Sequence, residues 1–184
     1  YYFIQDFEPG FYPMGHKHAM ALATYNHGEH CHAVFNSREL AGYFRDQGQA
    51  FPSQTVLLPS LNPSLQAFLD ANNHQLPPKP GDNTAILVYG RPNTPRNCFV
   101  PLLEGLHLFA SSLPMEERKR LMLLSAGHEH PDMVLADQVV LKSVGKLPLE
   151  RYISFLSFCH MGVSFMATPH PSYPPLEMAS FGLY

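Results

Sequence analysis

An α/β fold, built from parallel sheets covered by helices on both faces, is predicted by three features of the chain. Apolar runs of strand length, such as Ala85-Ile86-Leu87-Val88-Tyr89, are continuous rather than alternating, as in strands buried on both sides. Helical patterns stand between these runs, and strands joined by helical crossovers lie parallel. Prolines crowd into Gln75-Leu76-Pro77-Pro78-Lys79-Pro80-Gly81-Asp82-Asn83, which suits neither a helix interior nor an alternating strand and so reads as a linker.

Ahead of that linker, Tyr1 to Gln5 reads as a short buried strand, Lys17 to Asn26 as a helix and His32 to Asn36 as a second strand. Ser37 is placed to cap a helix running through Gln47, and Thr55 to Leu58 gives a third strand. Beyond the linker, Ala85 to Tyr89 is a strand, Arg91 to Asn97 a loop, and Phe99 to about Ser111 a helix. Met122 to Ser125 and Val139 to Val144 read as buried strands, Pro148 takes the first helical position of Leu149 to Phe158, and Gly162 to Met166 closes the series. The expected order is β-α-β-α-β, a doubly wound layout. Ligands of such sheets bind beyond the carboxyl ends of the strands. Arg91, Lys146 and the segment His170 to Glu177 each follow a strand, which sends them to one rim.

Composition removes several function classes. The chain has 184 residues, 45% hydrophobic and 15% charged, enough for a sizeable core, and its formal charge of -3 offers no basic surplus for nucleic acid. Cys31, Cys98 and Cys159 are odd in number and form no CxxC pair, so reduced thiols and a cytoplasmic setting are expected. No apolar run approaches the roughly 20 residues that span a bilayer, which leaves peripheral association with the inner membrane face as the one open membrane role. The chain opens on Tyr1-Tyr2-Phe3-Ile4 and closes on Phe181-Gly182-Leu183-Tyr184 within an apolar pattern; a piece of a longer protein is expected.

The rim residues have a common chemistry. Arg91 offers a planar fork of donors and Lys146 a compact charge, together suited to a diphosphate leaving group. Glu177, inside the next helix, can accept hydrogen bonds from ribose hydroxyls. Pro174 and Pro175 lack N–H groups and favour a first helical turn, so the amides of Ser172 and Tyr173 are left to face an anion. A solvated arginine and a glutamate complementing the helix dipole are the plain alternatives. Gln5, Asp6 and Glu8 follow the first strand and could face an acceptor or simply shape a turn. The aromatic residues of the opening segment divide between core packing and acceptor stacking.

Rival chemistries find less support. The histidine clusters His27-Gly28-Glu29-His30-Cys31-His32, His16-Lys17-His18 and His128-Glu129-His130 match no HExxH or CxxC spacing, so no metal site is expected. GxSxG, the phosphate-binding loop of NTPases and GxGxxG are all missing, which disfavours hydrolases, NTPases and NAD enzymes.

Several motifs fall in the order of a known family. Tyr89-Gly90-Arg91-Pro92 followed by Arg96-Asn97, Gly145-Lys146-Leu147, and Pro174-Pro175-Leu176-Glu177-Met178-Ala179 with Phe181-Gly182 resemble the retaining, family 4-like glycosyltransferases of two Rossmann-like domains, the GT-B kind. The opening Tyr2-Phe3-Ile4-Gln5-Asp6-Phe7-Glu8-Pro9-Gly10-Phe11-Tyr12-Pro13 is similar to bacterial rhamnosyltransferases related to rhamnan-synthesis proteins, which use dTDP-L-rhamnose to build cell-surface polysaccharide. The resemblance implies that Arg91 and Lys146, with Ser172 and Tyr173, hold the donor diphosphate and that Glu177 holds the ribose. It also implies that residues 1–80 close an acceptor-side domain and residues 81–184 form an incomplete donor domain, with no metal or cofactor and no assignable catalytic residue. Many relatives carry a second glutamate eight residues before the ribose glutamate; here Pro169 stands there, and His170 is the nearest substitute sugar contact. The alternative is a catalytically incomplete fragment that binds a nucleotide sugar or polysaccharide without turnover.

Overall fold

A computed structural model describes residues 1–26, 28–72, 75, 76, 78, 79, 81–170 and 172–184. These fall into two compact units, Tyr1–Ser60 with Ala167–Ser172 and Leu61–Met166 with Tyr173–Tyr184. The first carries a parallel sheet and the second a largely parallel one, each flanked by helices, the α/β class expected.

The first unit contains β1 (Tyr2–Ile4), α1 (His16–Ala23), β2 (His32–Phe35), α2 (Arg38–Asp46) and β3 (Ser53–Val56), with the strands parallel in the order β1-β2-β3. Alternate residues Ile4, Ala33 and Phe35 turn to one face and pack with Tyr25, Leu40, Ala41 and Phe44. Phe44 lies at its centre, edge-on to Tyr25 at 4.7 Å and to Phe35 at 5.3 Å between ring centroids. Ser37 caps α2 as expected: its backbone is extended and its Oγ accepts from Leu40 N at 3.1 Å. Helix α1 stops at Ala23 rather than Asn26, because the Thr24 hydroxyl bonds back to Ala21 O and Tyr25 turns into the core. Strand β3 lies at Ser53–Val56, two residues earlier than its apolar content suggested.

The second unit contains α3 (Pro63–Ala71), β4 (Thr84–Gly90), α4 (Phe99–Ser112), α5 (Met115–Arg120), β5 (Leu121–Gly127), β6 (Met133–Ala136), β7 (Val139–Gly145), α6 (Leu149–Phe158), β8 (Met161–Val163) and α7 (Tyr173–Ser180). Its sheet has the order β6-β7-β5-β4-β8. Along β4 alternate residues serve two cores: Ile86 and Val88 meet Leu102, Leu106 and Ala110 of α4, whereas Ala85 and Leu87 meet Leu65 and Leu69 of α3, Leu156 of α6 and Met178 of α7. Burial on both faces explains the continuous apolar run.

Several expectations need correction. The sheet is mixed instead of wholly parallel: β6 pairs antiparallel with β7 through the two-residue turn Asp137-Gln138, where Gln138 adopts φ 66. The short α5, with acidic residues in its first turn and basic ones in its last, extends the α4–β5 connection. Pro148 stands one position ahead of α6, and β8 occupies Met161–Val163 instead of running to Met166. Helix α3, which the apolar pattern does not predict, has an encoded start: Asn62 Oδ1 accepts from Ser64 N at 2.9 Å and Pro63 takes the first helical position. Leu65 and Leu69, one turn apart, bury α3 against β4 and α6 within the second unit. Pro77 and Pro80 of the proline-rich stretch lie outside the described residues; Lys79 donates to Gly182 O at 2.8 Å. Among the described residues no helix is long and apolar enough to cross a membrane.

Candidate functional site

The carboxyl edge of the second sheet is defined by register. Gly90 of β4 pairs with Gly127 of β5, and Ala126 of β5 pairs with Gly145 of β7, so Arg91, His128 and Lys146 leave three adjacent strands at one edge. The strands of Arg91 and Lys146 are two spacings apart, about 10 Å. Both long side chains can therefore reach one small anion between them.

Glycine at these strand ends is a steric requirement. A Cβ on Gly90 would meet Ser125 Oγ at 2.0 Å, and one on Gly127, at φ 141, would meet Gly90 O at 2.3 Å. This close approach lets His128 N donate to Gly90 O at 2.9 Å, fastening the start of the two loops together.

Arg91 is half-buried and oriented by two neighbours: its Nε donates to His128 Nε2 at 3.2 Å and its Nη1 to Tyr89 Oη at 3.4 Å. Lys146 is exposed, and no hydrogen bond or ion pair holds its ammonium group among the described residues. Glu177, in α7, accepts a hydrogen bond from Tyr152 of α6 at 2.9 Å. Burial, and secondly the charge of Glu177, push the Tyr152 hydroxyl well above its ordinary pKa, which keeps it a donor. The second unit therefore holds two cations at one sheet edge and, in α7, an oriented carboxylate.

The remaining candidates lie elsewhere in the division. Tyr173 opens α7 in the second unit, with Pro174 and Pro175 in its first turn, whereas His170 and the buried Ser172 group with the first unit. Pro171 lies outside the described residues. In the first unit Asp6 is buried and its Oδ1 accepts from Phe7 N at 2.8 Å, a turn-shaping bond. Gln5 and Glu8 are exposed; their backbones are tied to Asn36 and Tyr25. Of the opening aromatics, Phe7 packs edge-on to Tyr43 and Phe44, while Tyr1 and Phe3 stand 92% and 66% exposed.

The histidines make hydrogen bonds instead of clusters. His130 Nε2 bonds Ser125 Oγ at 2.7 Å and its backbone N–H donates to Ser143 Oγ at 3.1 Å. His32 bonds both Ser53 and Thr55, and His18 bonds Pro9 O. His27 lies outside the described residues; among the others no group of three or more His, Cys, Asp or Glu side chains is arranged to hold a metal. Tyr152 and the tie between His128 and Arg91 were not foreseen. Nothing local marks Tyr152, but the rule that singled out Arg91 and Lys146 applies equally to His128, which also follows a strand.

Residues 84–184 match the family model described as the C-terminal domain of WsaF, and residues 1–38 match that of the WsaF N-terminal domain. The chain is also similar to the O-antigen biosynthesis protein RfbC of Myxococcus xanthus, at 31% identity over 186 residues. That match covers 99% of this chain and 13% of the relative's length.

Proposed function

This chain belongs to the WsaF family, and on that premise we propose that its second unit binds the diphosphate of a nucleotide-sugar donor and that the protein acts as a glycosyltransferase in polysaccharide biosynthesis. The observation that carries the reading is the sheet edge: Arg91 and Lys146 leave β4 and β7 at the same carboxyl edge, and Tyr152 orients the Glu177 carboxylate in the same unit. Arg91 and Lys146 neutralise the charge that grows on the departing diphosphate, and Glu177 accepts from ribose hydroxyls. The amide of Tyr173 adds a donor at the positive end of α7.

The finer reading is transfer of L-rhamnose from dTDP-L-rhamnose to a glycan acceptor, with retention and without a metal, on a GT-B framework. It rests on the motif resemblance and on a relative named for O-antigen biosynthesis. In it the first unit, with Gln5, Asp6 and Glu8, belongs to the acceptor side.

Calorimetric titration of dTDP, UDP and GDP tests the site. Lys146→Ala and Glu177→Ala are each expected to weaken nucleotide diphosphate binding by about 1.5–3 kcal/mol, as for loss of a charged hydrogen bond. Parent-like binding of every nucleotide by both variants would refute the assignment. Sugar identity is tested separately, by transfer from dTDP-L-rhamnose to a rhamnose-terminated acceptor.

A further inference from the structure

Resting on the reading that this sheet edge takes a diphosphate, we propose that His128 is a further ligand of it, donating from Nδ1 to a phosphate oxygen while its Nε2 positions Arg91. The first observation is the bond from Arg91 Nε to His128 Nε2 at 3.2 Å. An accepting Nε2 carries no proton, so the neutral imidazole holds its proton on Nδ1. The second is that Nδ1 is buried and has no hydrogen-bond partner among the described residues. Buried donors are nearly always paired, and an unpaired one at a ligand edge marks a bond left for the ligand.

Position and charge decide what that ligand atom is. β5 lies between β4 and β7 in the sheet, so His128 leaves its strand between Arg91 and Lys146. An acceptor beside one guanidinium and one ammonium group is an anionic oxygen. The backbone that carries the imidazole is also fixed in place, since the His128 N–H donates to Gly90 O at 2.9 Å behind the positive-φ glycine Gly127. Arg91 has Nε committed to His128 and one Nη1 proton to Tyr89. Three of the five guanidinium protons lie outside these two bonds, and we assign them to the same diphosphate.

Two substitutions separate the two nitrogens. His128→Gln keeps an acceptor where Nε2 stood and loses the Nδ1 donor; His128→Asn keeps a donor near Nδ1 and releases Arg91. With folding checked by thermal unfolding, each is expected to weaken dTDP binding about fivefold to tenfold, the energy of one hydrogen bond. The loss for dTMP should be at least threefold smaller, because the contact is to the diphosphate. Nitrogen-15 spectra of the parent's histidines, recorded with and without dTDP, are expected to show the Nδ1-protonated tautomer and a shift of Nδ1 on binding. Binding within twofold of the parent by both variants, or an Nδ1 signal unmoved by bound dTDP, overturns the inference while leaving the diphosphate site standing. No dTDP binding by the parent, or none of the expected weakening in Lys146→Ala, removes the site itself.

Discussion

Tyr152 of α6 donates its phenolic proton to Glu177 of α7 across 2.9 Å, and this bond joins the stability of the second unit to the orientation of its carboxylate. Tyr152→Phe is expected to weaken nucleotide binding about threefold to tenfold, the worth of one hydrogen bond, in calorimetric titration. The same variant tests the pKa shift. Burial raises the tyrosine pKa, so its contribution to stability is present below the ordinary value of about 10 and declines as pH rises beyond it. The gap in unfolding temperature between parent and variant should therefore narrow between about pH 9 and pH 11. A constant gap would remove Tyr152 as the titrating group.

Gly90→Ala would place a Cβ 2.0 Å from Ser125 Oγ, the hydroxyl that bonds His130 Nε2. Urea unfolding is expected to show a loss of about 1–3 kcal/mol. Combining it with Ser125→Ala should recover part of that loss, a coupling of at least about 0.5 kcal/mol. Strict additivity would mean that the backbone had moved instead.

Gln138 holds a left-handed backbone, φ 66, in the turn between β6 and β7. Replacement by glycine relieves that conformation and should stabilise the protein by about 1 kcal/mol. Gln138→Val should act in the opposite direction, and chemical denaturation of the pair gives the sign directly.

The three thiols should react in a readable order. Cys159 is fully buried and burial pushes its pKa up to about 11, whereas Cys98 is only half-buried. Titration with a disulfide reagent at pH 8 is expected to consume Cys98 first and leave Cys159 until the protein unfolds. Early labelling of Cys159, located by peptide mass, would contradict its packing.

What the sequence revealed follows the range of the forces involved. The strand of Ala85 to Tyr89 and the cap at Ser37 were legible because adjacent residues determine them. Asn62-Pro63 carried an equally local helix signal that the nearby proline cluster obscured. The β6 strand is four residues long and exists because β7 lies beside it, a relation no short window contains. At the candidate site, Arg91 and Lys146 could be placed by their positions after strands. The bonds Tyr152 makes to Glu177 and His128 to Arg91 join elements distant in sequence, and only the packed fold brings them together.

The β6–β7 hairpin also bears on the order in which the second sheet assembles. Closing the Asp137-Gln138 turn confines two residues, whereas pairing Thr84 with Leu121 or Ile86 with Met161 closes a long span of chain. The hairpin is thus the one pairing in this sheet that can form early on local contacts alone. β7 would then present a finished edge on one side and a template on the other, with β5, β4 and β8 added in spatial order. From β7 through β5 to β4 growth would run opposite to the chain direction, so the strand that delivers Lys146 would be set before the one that delivers Arg91, and pulse-labelled hydrogen exchange during refolding should protect the amides of β7 ahead of those of β4.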